Sequence, residues 1–152
     1  MTQRGFEVVI DEKRKFKEVE IQLPIRATKY SAGYDFFSNE DIVINPGQKH
    51  IFWMDLKAYM LPDEYLKIHI RSSLANKYGI VLKNQVGIID SDYYSNIDND
   101  GNIGICLHNT TDSAYFVQYG NAIAQGIFTK YLLTDDDFTT GERIGGIGST
   151  TK

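Results

Sequence analysis

The chain has 152 residues and a net charge of −4, with 42% apolar and 24% charged residues. That length is most simply one domain with its own core, and the acidic balance excludes a nonspecific grip on nucleic acid or an anionic membrane, which needs a basic surface. No apolar run approaches bilayer length, no signal-peptide core follows Met1, and the lone Cys106 rules out an internal disulfide, so a cytoplasmic protein is expected.

Ten Tyr and eight Phe against three Pro favour strands. Residues 17–23 alternate, with Val19, Ile21 and Leu23 on one face, which predicts a half-buried strand closed by Pro24. Residues 25–31 read as loop. Ala32-Gly33-Tyr34-Asp35-Phe36-Phe37 follows, then a polar break at 38–41 and a short strand at 42–44 ended by Asn45-Pro46-Gly47, a strong turn signal. Residues 48–60 form one long strand-like run stopped by Leu61-Pro62-Asp63, and 65–70 alternate again through Leu66, Ile68 and Ile70. The one persuasive helix is 72–78, with Ser72 or Ser73 as its cap and Gly79 as its stop. Strands are expected at 102–107, 114–119 and 122–133, and a solvated turn at Asp135-Asp136-Asp137. Many short strands with one short helix predict an all-β domain, a jelly-roll-like barrel or sandwich.

The chain is organised around residues 84–93, Asn84-Gln85-Val86-Gly87-Ile88-Ile89-Asp90-Ser91-Asp92-Tyr93. Their pattern is that of a hairpin: a buried approach through Val86, Ile88 and Ile89, Gly87 at the bend, then carboxylates. Gly87 permits backbone angles closed to other residues and lets a ligand reach the main chain. Asp90 and Asp92 are two apart and share a side in extended chain. Such acids suit proton transfer or metal work; an Asx-type turn is the plainer use of the same residues.

Arg71-Ser72-Ser73-Leu74-Ala75 stands where a strand becomes a helical turn, so free N–H groups, hydroxyls and a guanidinium converge as an anion site, or as an ordinary cap beside a surface Arg. In Arg143-Ile144-Gly145-Gly146-Ile147-Gly148-Ser149-Thr150 the glycines can form a phosphate-binding nest or simply a loose end. The Lys of a Walker A motif is missing. Asp98-Asn99-Asp100-Gly101 fails as a calcium loop, because Leu107 falls at the bidentate position. His50, His69 and His108 have no metal-ligand spacing to one another or to Cys106.

Five segments in order, Ala32-Gly33-Tyr34-Asp35, Arg71-Ser72-Ser73-Leu74-Ala75, Gly87-Ile88-Ile89-Asp90-Ser91-Asp92-Tyr93, Gly120-Asn121-Ala122-Ile123-Ala124-Gln125 and Gly145-Gly146-Ile147-Gly148-Ser149-Thr150, resemble the five motifs of the trimeric dUTPase family. They span residues 32–150. The resemblance implies a jelly-roll domain over 1–141 and a glycine-rich arm over 142–152 that closes a neighbour's active site, in a homotrimer whose sites are shared between chains. It implies hydrolysis of dUTP to dUMP and pyrophosphate with Mg²⁺, which keeps uracil out of DNA and supplies dUMP for thymidylate synthesis. Asp90 matches the general base that activates water for attack on the α-phosphate. Asp35 matches the acid that holds the magnesium ion through water. Arg71, Ser72, Ser73 and Gln125 match phosphate contacts, and Arg143 a γ-phosphate clamp. Asn84, Gly87 and the main chain of Ile88, Ile89 and Asp90 match the uracil reader, and Tyr93 the ring under the deoxyribose. Ile147, Gly148 and Ser149 match the lid of the arm.

The chain departs from that pattern in three places. Tyr94-Ser95-Asn96 replaces the usual Arg-Gly-Glu and is followed by an acidic insertion at Asp98-Asn99-Asp100-Gly101. Ile147 stands where the family often has an aromatic ring, and only Ile144 separates Arg143 from the glycine pair. Two other functions fit the fold that the resemblance implies. A dCTP deaminase needs a catalytic Glu where this chain has Cys106, whose thiol lacks comparable acid–base capacity unless its pKa is lowered. A nucleotide-gated regulatory binding protein would not need Asp90.

Overall fold

The computed structural model describes residues 1–146. Twelve strands and one helix follow in order: β1 Gly5–Val8, β2 Ile25–Arg26, β3 Tyr34–Phe37, β4 Ile42–Ile44, β5 Lys49–Trp53, β6 Leu56–Tyr59, β7 Glu64–Ile70, α1 Ser72–Tyr78, β8 Ile80–Leu82, β9 Gly87–Asp90, β10 Gly104–Asn109, β11 Tyr115–Val117 and β12 Ala122–Lys130. A five-stranded antiparallel sheet runs β2-β3-β12-β7-β9, and a three-stranded sheet runs β5-β10-β8. The pairs β1-β6 and β11-β4 complete the assembly. The sheets do not close into a barrel; they form the sandwich of the expected all-β, jelly-roll type.

Alternation builds the core. Leu66 and Ile68 on β7, and Ile105 and Leu107 on β10, point inward while their neighbours are half-buried. They join Phe36, Phe52, Met54, Ile80 and Ile123 in one cluster. Fully burying an aliphatic or aromatic side chain stabilises the fold by about 1.5–3 kcal/mol. On β12, Gly126 lets Phe36 and Leu66 close over the strand, since a Cβ there would come within 2.8 Å of the Phe36 ring.

Several boundaries differ from the expectation. Residues 17–23 keep the alternation, with Val19 and Ile21 half-buried, but pair with no strand. Arg14 Nη2 instead donates to the carbonyls of Phe16 (2.9 Å) and Val19 (2.7 Å), so a side chain takes the place of a ladder. The run 48–60 breaks at Asp55, whose φ is +53°. Its fully buried carboxylate accepts the N–H groups of Lys15 and Phe16 and the amide of Asn102. The strands flanking residues 83–86 are not hairpin partners: β8 pairs with β10, and β9 with β7. Gly87 therefore lies not at the bend but opposite Ile68, where an added Cβ would sit 2.9 Å from the Ile68 Cβ. Gln85, at φ +66°, takes the strained position of the turn. Ile88 is 62% exposed rather than buried. Helix α1 has Arg71 as its N-cap residue, with no side-chain cap bond from Ser72 or Ser73, and Gly79 ends it at φ +65° as expected.

The insertion folds inward. Asp100 is 7% exposed, accepts the N–H of Ile10, and pairs with Lys57 Nζ at 2.9 Å. Its carbonyl also accepts the Ser95 N–H at 3.2 Å, which ties the insertion to the segment that follows Tyr93 and Tyr94.

Candidate active site

One concavity of about 290 Å³ gathers Asp35 from β3, Arg71, Ser72 and Ser73 from the β7–α1 junction, and Gln125 from β12, with Ala27, Ser31 and Gly33 along the rim. The register makes this possible: Gln125 sits on β12 between Asp35 and His69, so the strand joins the two sides. Arg71 Nε lies 3.4 Å from Asp35 Oδ1, and Gln125 Nε2 donates to the Ile70 carbonyl at 3.4 Å. Ser72 and Ser73 are exposed, and α1 does not use their hydroxyls as caps. Gly33 lies close against Gln125, so a Cβ there would force the Gln125 side-chain amide to shift. A half-buried carboxylate beside a guanidinium, with free hydroxyls and an amide, can hold phosphate oxygens.

No group of three or more His, Cys, Asp or Glu among the described residues could hold a metal by itself. A hard cation carried by phosphate oxygens and its own waters needs only one such carboxylate from the protein, and Asp35 in this oxygen-rich cavity fits that demand.

A second cluster lies on β9 and the 3₁₀ turn after it, Ser91–Tyr93. β9 is the outer strand of its sheet, so one row of its main-chain groups faces away from the ladder. Arg143 joins the cluster: Nη2 donates to Asp90 Oδ2 and Nε to Asp92 Oδ1, each at 2.7 Å. Its guanidinium stands 5.7 Å from the centre of the Tyr93 ring. Asp90 and Asp92 therefore come together around an arginine, not along one extended strand, because the chain has turned into the 3₁₀ segment between them. Tyr93 is buried; its hydroxyl donates to the Asn102 carbonyl at 2.7 Å and accepts from Asn99 Nδ2 at 2.9 Å. Burial pushes its phenol pKa up, opposed by the Asn99 bond. Asn84 is exposed, and its carbonyl accepts the Val86 N–H at 2.7 Å.

The two clusters are at different places on the sheet. Asp90 is opposite Tyr65, and the chain from Tyr65 to Arg71, at about 3.3 Å per residue, spans about 20 Å. One phosphate cannot touch both Asp90 and Arg71 of the same chain across that distance, even with both side chains reaching along the sheet. Ile147, Gly148 and Ser149 lie outside the described residues. Sequence reasoning missed the part of Asp92 in holding Arg143, and that of Asn99 beneath Tyr93. The acidic pair with a distant Arg was the available signal for the first; nothing local announced the second.

Fold and clusters together describe a β-sandwich protein with a cavity lined by a carboxylate, a guanidinium, hydroxyls and an amide, and with a separate acidic edge. The dUTPase family model matches residues 19–150, and the chain belongs to the dUTPase family. It is 42% identical over 149 residues to the deoxyuridine 5'-triphosphate nucleotidohydrolase of Lactococcus lactis, covering 97% of each chain. The crystal structure of the dUTPase from Streptococcus mutans superposes with a TM-score of 0.76 at 39% identity, over 86% of this chain and 98% of that one. The dUTPase of phage phi11 of S. aureus, at 19% identity and a TM-score of 0.70 over 92% of this chain and 97% of that one, shares the fold.

Proposed function

We propose that the reaction of this dUTPase, hydrolysis of dUTP to dUMP and pyrophosphate, is carried out in the cytoplasm by a homotrimer in which Asp90 of one chain faces the phosphate cavity of another. The observation that carries this reading is the separation of Asp90 from Arg71 within one chain. Closed rings of head-to-tail contacts bring such distant patches together.

Asp90 takes the proton of the attacking water; its carboxylate is more than half exposed, so water reaches it. Arg71, Ser72, Ser73 and Gln125 hold the phosphate oxygens and line up the α-phosphorus for attack. Asp35 is the residue that would reach a Mg²⁺ ion through water. That ion, when bound, supplies positive charge that neutralises the triphosphate. The outward main chain of Ile88, Ile89 and Asp90, together with Asn84 and Gly87, reads the uracil edge. Because a wrong base leaves buried polar groups unpaired, such a reader discriminates strongly. Tyr93 packs beneath the deoxyribose and leaves no room for a 2′-hydroxyl. Arg143 clamps the γ-phosphate, and Ile147, Gly148 and Ser149 of the arm cover the nucleotide, over a neighbouring chain's site.

Deamination is disfavoured by Cys106. Burial pushes its thiol pKa up, against the pull of Lys49 and Lys83, so it supplies neither base nor thiolate at neutral pH. The test is pyrophosphate release with magnesium from dUTP, dCTP, dTTP and UTP. Release from dUTP alone, with dUMP as product, supports the reading; ammonia release from dCTP overturns it.

A further inference from the structure

Arg143 occupies ground that the proposed reaction needs. Its Nη2 bonds the same Asp90 carboxylate that has to accept a proton, and its guanidinium lies over the Tyr93 ring assigned to the sugar. The guanidinium is drawn in: the Arg143 side chain is 13% exposed, whereas the carboxylates it joins are 55% and 59% exposed. The chain beyond it stays down on the same protomer. Gly146 N–H donates to Asp98 Oδ2 at 3.2 Å, and a Cβ at Gly146 would come within 2.8 Å of Asn99 Nδ2. Residues 143–146 are thus laid along the surface built by residues 90–99.

We propose that Asp92 is a positioning residue that parks Arg143 across Asp90 and Tyr93 until a triphosphate draws the guanidinium away. The proposal rests on the reading of Asp90, Tyr93 and Arg143 given above. A planar guanidinium is suited to this task, since two of its nitrogens engage two different carboxylates at once, which a lysine ammonium cannot do with the same fixed geometry. Ion pairs to carboxylates more than half exposed are weak enough to yield: each changes an equilibrium by about fivefold at most. The phosphate oxygens of a nucleotide are acceptors of the same kind in greater number, so they compete successfully. Departure of Arg143 then does two things together, freeing Asp90 Oδ2 for water and clearing the face of Tyr93. Asp92 touches neither water nor nucleotide in this scheme; it sets how much of the protein is ready to receive substrate.

Trypsin reads the parked state directly, because it cleaves after an arginine only when the side chain is free to enter its own pocket, and cleavage follows the open population. Without nucleotide, Asp92→Asn should be cut after Arg143 about 2- to 5-fold faster than the unaltered protein. Arg143→Lys, which keeps a tryptic site but cannot span both carboxylates, should be cut as fast as Asp92→Asn. High salt should bring the unaltered protein toward both, since the two carboxylates are exposed to screening ions. A saturating non-hydrolysable dUTP analogue should abolish the difference between Asp92→Asn and the unaltered protein. In steady state, Asp92→Asn should lower KM for dUTP by a similar factor, with a smaller change in kcat. Equal cleavage rates without nucleotide, beside normal dUTP turnover, would overturn the parked arginine and leave the proposed reaction intact. Faster cleavage in Asp92→Asn with no dUTP turnover by either protein would sustain the parking by Asp92 and overturn the reaction.

Discussion

The cavity around Asp35 and Arg71 and the acidic edge are built on opposite principles. The cavity is assembled from interior strands and a strand–helix junction, its Asp35 carboxylate is 15% exposed, and its rim approaches so closely that a methyl group at Gly33 would force the Gln125 amide to shift. The edge stands on the outermost strand of the same sheet, with carboxylates more than half exposed and an arginine from far along the chain laid over them. Phosphates offer the same oxygens in every nucleotide, and a rigid concavity suffices to hold them. In the proposed reaction, reading a base and activating a water need main-chain groups and a carboxylate not already consumed by the fold, and an outer strand has both to offer. The exposure that leaves those groups available also leaves them open to competitors, as Arg143 shows.

The strongest way to break the comparison is Asp90→Asn. It should lower kcat by about 10²- to 10⁴-fold while the non-hydrolysable analogue still binds, because the cavity is untouched. Turnover near that of the unaltered protein would remove Asp90 as the base. Mixing inactive Asp90→Asn with inactive Arg71→Ala and reassembling the oligomer sharpens the point. If each site draws its edge and its cavity from different chains, random assembly restores about a quarter of the original sites. Sites contained within single chains would restore nothing.

A smaller loss tests what supports the edge. Asp100 and Lys57 form an ion pair with side chains 10% and 8% exposed. Asp100→Ala leaves a buried ammonium uncompensated and should cost about 3–5 kcal/mol in denaturant unfolding. Replacing both residues with apolar ones of similar size should cost less than either single change, since no orphan charge remains. On the cavity side, Gly33→Ala forces a methyl group against the Gln125 amide. It should cost about 1–3 kcal/mol and raise KM for dUTP, with Asp90 chemistry left in place. A KM equal to that of the unaltered protein would detach Gly33 and Gln125 from phosphate binding.

Much of the cavity was legible because its residues belong to short, contiguous segments. The helix bounds 72–78 and the strand 42–44 coincide with expectation for the same reason: a glycine stop and a turn tripeptide act locally. What the sequence left obscure depends on partners far away. Alternation at 17–23 showed which side faces inward, but not that Arg14 would hold the backbone where a strand was expected. The break at Asp55 is set by Lys15, Phe16 and Asn102, none adjacent to it in sequence. Nothing in the acidic run 98–101 itself shows that Asp100 is buried against Lys57, which lies far off in the chain. Gly87 was read for backbone freedom, yet its requirement comes from Ile68 across the ladder. Separation of the two clusters was equally hidden, because it is fixed by which strand β9 pairs with and in what register.

The smallest expected effect concerns the far end of β7. Glu64 neighbours Tyr65, the residue opposite Asp90, and accepts from Arg4 Nε at 3.0 Å and from the Leu61 N–H at 2.9 Å. Burial alone would raise its pKa, but the bonds from Arg4 and Leu61 and the charge of Arg4 outweigh it and hold the carboxyl below its ordinary value of 4.5. A depressed carboxyl stabilises the fold at pH values above its unfolded pKa, and that contribution disappears as pH falls through the lower folded value. Arg4→Ala removes the lowering partner and leaves burial, so the variant should lack this acid-sensitive contribution. The Tm deficit of Arg4→Ala should be largest near pH 7 and shrink toward pH 3. Arg4 is 40% exposed, so solvent screening limits the neutral-pH cost to about 1 kcal/mol or less. Affinity for pyrophosphate, assigned to the cavity beyond the other end of β7, should not follow; an affinity that moved with the Tm deficit would show that the two ends of the strand are coupled.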